Sequence, residues 1–367
     1  MTSDRSPAPN HASAASAVTT EGETFSSPPK RLRYVDVEAP QPGHSVAIAP
    51  GVRWARIPLP MDLNHINVWL VDTDDGCVVV DTGMAVDVCK EAWENIEREV
   101  FAATPLRAIF VTHIHPDHIG LASWLQQRHA VPVLTSRRTH DIVRILAGGQ
   151  GAPSAADAEA FVRSHGLGDL EQIRPLLRPE RFARMTSGAP DVASYIGDGE
   201  GLRWASHEWT ALETNGHAEG HLCLVNHATR VLISGDQVLP TISPNISYTY
   251  RTWDQNPLGS YLASLERLAA LPADTLVLPS HGMPFYGLQH RTDDLRARHE
   301  AQLAMLVRTC AEPKTAGELL PSMFRRELKG FHLFLALGEA LAHLEYLVHR
   351  GGLARRTVDG VVRYVAT

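Results

Sequence analysis

Four potential metal ligands, His113, His115, Asp117 and His118, crowd into six residues of the stretch Val-Thr-His-Ile-His-Pro-Asp-His-Ile-Gly at 111–120. A β-type run ends at Thr112, so the chain is still extended as it presents His113 and His115, and alternation puts both on one side. Asp117 and His118 follow as the chain turns into a helix after Pro116. Neutral imidazoles and a carboxylate suit Zn²⁺, Fe²⁺ or Mn²⁺, and ligands this close in sequence lower the entropy cost of assembling a site. Ligand-type residues recur beside glycine at the ends of later β-type runs. They are His217 and His221 in Asn-Gly-His-Ala-Glu-Gly-His (215–221), Asp236 in Ser-Gly-Asp (234–236) and His281 in Ser-His-Gly (280–282). Glycine allows a tight turn and close backbone approach at each. Asp81, closing Val-Val-Val-Asp, can accept the free N–H of a ligand imidazole and fix its tautomer. Nineteen histidines against four cysteines point the same way.

These residues need strands that end at one edge. Residues 66–73, 77–81, 106–112, 131–136, 221–226, 230–235 and 275–280 are Val/Ile/Leu-rich runs bounded by Gly, Pro, Asp or Asn and read as strands. Asp74-Asp75-Gly76 reads as a hairpin turn between the first two. Helices are expected over 85–101, with Val88, Ala92, Ile96 and Val100 on one face, over 118–129, and over 258–271 with Leu258, Leu262, Leu265 and Leu268 at helical spacing. The alternation predicts an α/β fold. Residues 137–205 read as an insertion with helices near 137–147, 155–165 and 169–177, either a lid over the site or a decoration away from it.

The expected domains are a flexible Ser/Ala/Pro/Thr-rich tail over 1–40, a catalytic domain over 41–292 and a C-terminal module over 293–367. In the module, helices near 293–310, 315–324 and 331–349 precede a hairpin turning at Val358-Asp359-Gly360-Val361, the order of a winged helix. Its last 72 residues carry eleven Lys/Arg and seven Asp/Glu, yet the third helix holds Glu339 and Glu345 and an apolar stripe of Leu337, Leu341, Leu344 and Leu347. That stripe favours docking or homodimer packing over reading nucleic acid.

Composition sets outer bounds. With 44% hydrophobic and 20% charged residues the chain is not globally disordered, and a net charge of −7 gives no general pull towards nucleic acid or acidic membranes. Cys77, Cys89, Cys223 and Cys310 are scattered without a CxxC pair, which argues against a disulfide framework and for buried thiols in a reducing compartment. No apolar run approaches the ~18 residues that span a bilayer, and the first thirty residues lack a signal-type apolar core, so a cytoplasmic enzyme is expected.

The motif series HxHxDH, GH, GD and SHG, with an early DTG, resembles the metallo-β-lactamase-fold hydrolase superfamily over residues 46–290. The resemblance implies an αββα sandwich with the site along one edge of the two sheets. Position by position it implies His113, His115 and His217 at a first metal, Asp117, His118 and His281 at a second, Asp236 bridging both, and His221 beside the site without coordinating. The C-terminal module is similar to the winged-helix appendage of the LACTB-like branch, which is structural. Asp236 stands where many zinc β-lactamases carry Cys, which favours the glyoxalase-II-like and lactonase-like branches; His115 stands where the flavodiiron branch has Glu; no beta-CASP-type motif follows His281. The implied function is dinuclear hydrolysis, a metal-bridging hydroxide attacking the carbonyl of a thioester, ester or lactone, with Asp117 and Asp236 as catalytic carboxylates. Two divalent ions are the implied cofactors, zinc before iron or manganese. The alternatives are a mononuclear iron persulfide dioxygenase and an endoribonuclease-like protein using the C-terminal module. The expected partner is a small acyl substrate. Tyr248, Tyr250, Arg251 and Trp253, in the long loop after Asp236, are candidates to shape its pocket. Arg291, Arg296 and Arg298 could meet an anionic carrier such as CoA or glutathione, although a solvated helix face is the stronger reading for them.

Overall fold

In the strand His65–Asp72, Ile66, Val68 and Leu70 face one core while Trp69 and Val71 face another. The split repeats in Cys77–Val80, with Cys77 and Val79 opposite Val78 and Val80, and in His221–Asn226, with Cys223 and Val225 opposite Leu222 and Leu224. Strands buried on both faces read as unbroken apolar runs, which is why they were legible as strands without alternation. The computed structural model, which describes residues 32–148, 153–178 and 180–367, arranges them in two seven-stranded sheets and a C-terminal hairpin.

The first sheet runs in the order Ser45–Ala49, Val52–Pro58, His65–Asp72, Cys77–Val80, Leu106–Phe110, Val133–Thr135, Val192–Tyr195, antiparallel through its first four strands and parallel thereafter. The second runs Arg33–Tyr34, Phe285–Tyr286, Leu276–Pro279, Val231–Gly235, His221–Asn226, His207–Thr214, Gly201–Trp204, with one parallel pair, Val231–Gly235 beside Leu276–Pro279. Trp54, Trp69, Phe110, Trp209, Leu222, Ile233 and Leu278 fill the space between the sheets. Helices Asp87–Ile96, Ala122–His129 and Arg137–Leu146 cover the outer face of the first sheet. Pro257–Ala269, Leu288–Thr309 and Gly330–His349 cover that of the second. This is the helix–sheet–sheet–helix sandwich expected.

Several expectations need correction. Strands Ser45–Ala49, Val52–Pro58 and His207–Thr214 were not anticipated, since their apolar content is broken by Arg, Ser, His and Glu. On the first long helix Val88 is exposed; Cys89, Ala92, Trp93 and Ile96 make the buried face, and the helix ends at Ile96 in a π-type turn over Glu97–Phe101. Within 169–177 only the short turn Arg174–Leu176 is helical. The tail expected over 1–40 is structured by residue 33: Arg33–Tyr34 pairs with Phe285–Tyr286, and the Arg33 guanidinium lies 3.9 Å over the Tyr286 ring. Residues 1–31 lie outside the described residues.

The C-terminal elements follow the expected order of three helices and a hairpin: Leu288–Thr309, Ala316–Met323, Gly330–His349, then Leu353–Val358 paired with Val361–Ala366. Thr315 and Glu318 form a reciprocal N-terminal cap for the second helix. The boundary expected at 292/293 falls inside the Leu288–Thr309 helix. Leu337, Leu341, Leu344 and Leu347 share one core with Cys223, Val225, Leu232 and Val277 of the second sheet, so the apolar stripe is buried within the chain and is not an exposed dimer surface. Contrary to the expectation that no segment approaches a membrane span, Gly330–His349 is long and apolar enough to cross one by length and composition, yet 61% of its apolar window is buried inside the fold. Gly338 lets this helix meet the loop after Asp236: a Cβ there would lie 2.6 Å from Ser247 Oγ, and the Tyr248 N–H donates to the Gly338 carbonyl at 3.0 Å.

Candidate metal centre

Five chain segments leave their strands at the same edge. The Cys77–Val80 strand runs into Asp81, whose φ of 66° is left-handed, a conformation Asp tolerates better than most residues. Its carboxylate collects the next segment: Thr112 N–H donates to Asp81 Oδ1 and Thr112 Oγ to Oδ2, both at 2.8 Å. His113 and His115 follow, and Pro116, at the first position of the short helix Pro116–Ile119, turns the chain so that Asp117 and His118 fold back over them. Gly235, at φ 53°, ends the Val231–Gly235 strand where a Cβ would lie 2.4 Å from His221 Nε2; only glycine passes so close, and it brings the Asp236 N–H to within 3.2 Å of that nitrogen. His221 Nδ1 meets Thr214 Oγ at 2.9 Å, so both its ring nitrogens are engaged by the protein.

One ligand atom each from His113, His115, His217 and Asp236 lies within 4.8 Å of the others, and the same holds for Asp117, His118 and His281. Asp236 joins the two groups. Its Oδ2 is 3.4 Å from His118 Nε2 and 3.5 Å from His217 Nε2, and its Oδ1 is 3.5 Å from His281 Nε2. Asp117 Oδ2 is 3.3 Å from His281 Nε2 and 3.6 Å from His118 Nε2. All seven candidate ligands therefore meet in one place.

The donor set fits divalent cations. His118 Nε2, His217 Nε2, His281 Nε2 and Asp236 Oδ1 are buried with no hydrogen-bond partner. Separations of 3.3–3.6 Å are too long for good hydrogen bonds. They match the edge of a tetrahedron whose corners sit about 2.0–2.1 Å from a zinc ion, which is about 3.3–3.4 Å. The opposite nitrogens are held from behind. His118 Nδ1 donates to Asp81 Oδ2 at 2.7 Å, His217 Nδ1 to the Asn245 carbonyl at 2.9 Å and His281 Nδ1 to the His65 carbonyl at 2.8 Å. His113 Nδ1 reaches Thr112 Oγ at 3.0 Å, whose own proton goes to Asp81. These bonds leave the Nε2 of His118, His217 and His281 bare, while His113 Nε2 lies 2.9 Å from His115 Nδ1, so two candidate ligand atoms face each other there.

Charge is unevenly spread over the two groups. Burial alone would lower His118, but Asp236, Asp81 and Asp117 around it hold it well above the ordinary imidazole range; His281 is raised likewise by Asp236 and Asp117 against its burial. Burial and neighbouring imidazoles push His113 far down, and burial with His217 brings His115 to about 3. Burial would raise Asp117, but His118 and His281 outweigh it and hold the carboxyl at about 2. Such a concentration of carboxylate around His118 calls for positive charge, which a cation supplies as well as a proton does.

The ligands His115, Asp117, His217 and Asp236 line a cavity of about 1460 Å³. Met84, Ile142, Phe182, Met185, Leu239 and Phe331 are among its apolar walls. Ile142, Arg181, Phe182 and Met185 come from the 137–205 insertion, which therefore forms part of the cavity wall. Of the four residues expected to shape the pocket, Arg251 and Trp253 line it; Tyr248 and Tyr250 do not, because both rings pack beside Phe161 instead, at 6.4 and 6.1 Å. Arg291 is buried and donates to the Leu239 and Ile242 carbonyls at 2.6 Å, bracing the loop after Asp236; Arg296 is exposed, and Arg298 lines the cavity. The backbone acceptors at His65 and Asn245 escaped the sequence reading because no spacing pattern marks a carbonyl that serves a histidine hundreds of residues or one loop away.

The profile of the Metallo-beta-lactamase superfamily matches residues 61–281, a span that holds all seven ligands. The chain belongs to the metallo-beta-lactamase superfamily. Residues 303–367 match the profile Metallo-beta-lactamase-like, C-terminal domain. A beta-lactamase domain protein from Burkholderia ambifaria is 36% identical, with a TM-score of 0.84 over 92% of this chain and 99% of that one. A metallo-beta-lactamase family protein from Thermus thermophilus is 30% identical, with a TM-score of 0.73 over 88% of this chain and all of that one. Among curated relatives, the probable metallo-hydrolase YqjP of Bacillus subtilis is 24% identical over 80% of this chain and 90% of its own length. The human acyl-coenzyme A thioesterase MBLAC2 is 24% identical over 71% of this chain and 94% of its own. The protein is thus a metallo-hydrolase of this fold, with His/Asp clusters able to hold divalent metals.

Proposed function

We propose that the chain is a dinuclear metal-dependent hydrolase of small acyl compounds, thioesters before esters and lactones, with zinc as its ion. The observation that carries this reading is the meeting of all seven ligands in one place, four of them lining a largely apolar cavity. An apolar wall beside the ligands suits an acyl chain better than a polar or highly charged substrate. The acyl-coenzyme A thioesterase among the relatives supports the same substrate class.

In this reading His113, His115 and His217 hold one ion, Asp117, His118 and His281 hold the other, and Asp236 is shared. Bound divalent ions would supply a nucleophilic water of near-neutral pKa and polarise the carbonyl. Asp81, Thr112 and the carbonyls of His65 and Asn245 keep the histidines in one tautomer and orientation. Asp117 also lines the cavity, where its carboxylate can take the water's proton as the carbon–oxygen bond forms and return it to the departing thiolate as the carbon–sulfur bond breaks. The walls contributed by the 137–205 insertion act as a lid that excludes bulk water from the acyl group.

Elemental analysis of the purified protein, followed by assays on a panel of thioesters, lactones and phosphodiesters, tests this. Two zinc equivalents per chain and turnover of thioesters, both lost in Asp236→Ala, are expected. One iron per chain, or turnover of phosphodiesters alone, would replace the reading.

A further inference from the structure

Several cationic side chains line the cavity without holding a candidate ligand, and two of them, Arg181 and Arg251, each stack on an aromatic ring. Arg181 stands on the helix Glu180–Met185 of the insertion, and Arg251 stands in the loop after Asp236. Both line the cavity that the ligands enter. Each guanidinium lies over an aromatic ring, Arg181 at 4.8 Å from the Phe331 centroid and Arg251 at 5.0 Å from that of Tyr250. Stacking of this kind fixes the guanidinium plane and leaves its N–H edge for a ligand. Arg251 Nε is buried with no hydrogen-bond partner.

The acidic groups nearby are engaged elsewhere. Glu219 takes Arg138 and the N–H groups of Trp253 and Asp254. Asp62 pairs with His332 at 3.2 Å, and Asp254 accepts from the Asn256 N–H at 2.8 Å. Among the described residues no carboxylate lies within ion-pair distance of Arg181 or Arg251. The two charges also feel each other: burial first, and then the charge of Arg251, lowers the Arg181 guanidinium from its usual range. Two like charges on the walls of one partly apolar cavity are costly unless an anion joins them.

We propose that Arg181 and Arg251 form an anion subsite that takes the phosphate of a phosphorylated small-molecule acyl carrier while the acyl carbonyl lies at the seven ligands. Arg is suited to this because its planar fork matches phosphate oxygens two at a time. The subsite rests on the thioesterase reading for the position of the acyl group, but its affinity for phosphate does not.

The test pairs turnover with binding on the metal-loaded full chain. Hydrolysis of decanoyl-CoA and of decanoyl-pantetheine, which lacks every phosphate, is compared in the native protein and in the double variant Arg181→Met/Arg251→Met. Free CoA and free pantetheine are then titrated calorimetrically into both. The free pair shares one thiol and the acylated pair one thioester, so contact of the sulfur end with a metal cancels in each comparison. The expected result is a preference of at least tenfold for the phosphorylated member, in kcat/KM and in Kd, that falls towards unity in the variant. No preference in the native protein, or an undiminished one in the variant, overturns the subsite. A binding preference that collapses in the variant while neither thioester turns over keeps the subsite and removes the thioesterase reading; turnover without preference does the reverse. Dephospho-CoA assigns the phosphate: a preference lost with it places the terminal monoester at the arginines, and one retained places the diphosphate there.

Discussion

Replacing Asp81 by Asn tests whether the ligand geometry is imposed from behind. The backbone at Asp81 is left-handed, and Asn accepts that conformation as readily as Asp, so the turn survives. What changes is the donor and acceptor pattern. Asp81 Oδ1 accepts the Thr112 N–H at 2.8 Å, while Oδ2 accepts His118 Nδ1–H at 2.7 Å and Thr112 Oγ–H at 2.8 Å. An amide has one acceptor and one NH₂ group. Whichever way it turns, a donor faces a donor. If the amide oxygen keeps the backbone N–H, its NH₂ meets His118 and favours the tautomer that puts the proton on Nε2, the atom meant for metal. Loss of such a supporting contact costs roughly 10–100-fold in metal affinity, or about 1.4–2.7 kcal/mol. The loss should fall mainly on the ion held by Asp117, His118 and His281. Competition with a chromophoric chelator, counting bound zinc at fixed free zinc, should therefore show one site weakened by that factor and the other much less. Turnover should fall with occupancy of the weakened site, and far-ultraviolet circular dichroism should not change. Two sites of native affinity in Asp81→Asn would refute this reasoning.

Gly338→Val should cost about 1–3 kcal/mol in urea unfolding, because its side chain would overlap Ser247. It should also lower kcat/KM, since the displaced loop carries the Asn245 carbonyl that orients His217; native stability would show that the contact yields freely. The four cysteines are free and buried, and burial pushes Cys77 and Cys223 up to about 12 and Cys89 and Cys310 up to about 11. A thiol-reactive disulfide should label none of them at pH 8 in the folded protein and all four in denaturant; stoichiometric labelling of the native protein would contradict their burial. His115→Ala should reduce bound metal and abolish turnover while the unfolding midpoint of the metal-free protein changes little, because the inter-sheet core contains no ligand; retained turnover would remove His115 from the site.

Much of the centre was legible because metal chemistry demands side chains, and side chains are what a sequence records. His113, His115, Asp117 and His118 cluster in sequence, and His217, Asp236 and His281 each sit beside a glycine at a strand end. The buried strands were equally plain, since Val, Ile and Leu on both faces leave few other readings. What escaped depends on tertiary context. His207–Thr214 carries Glu208 outward on a strand whose Trp209 and Ala211 face the core, too short a pattern to stand out. Tyr248 and Tyr250 suit a pocket by type and position, but Phe161, nearly ninety residues earlier, draws both away from it. Arg181 carried no motif and lies in the cavity because the insertion's helix Glu180–Met185 contributes to its wall. The C-terminal stripe of leucines was visible, but its partner, the outer face of the second sheet, was not.

The central claim is that the seven residues bind two ions in one cage. Diffraction from crystals of the zinc-loaded protein, with anomalous differences collected at the zinc absorption edge, tests it directly. The account predicts two peaks, one within coordination distance of His113, His115 and His217, the other of Asp117, His118 and His281, with Asp236 reaching both. A single peak, or zinc bound outside these side chains, would contradict it.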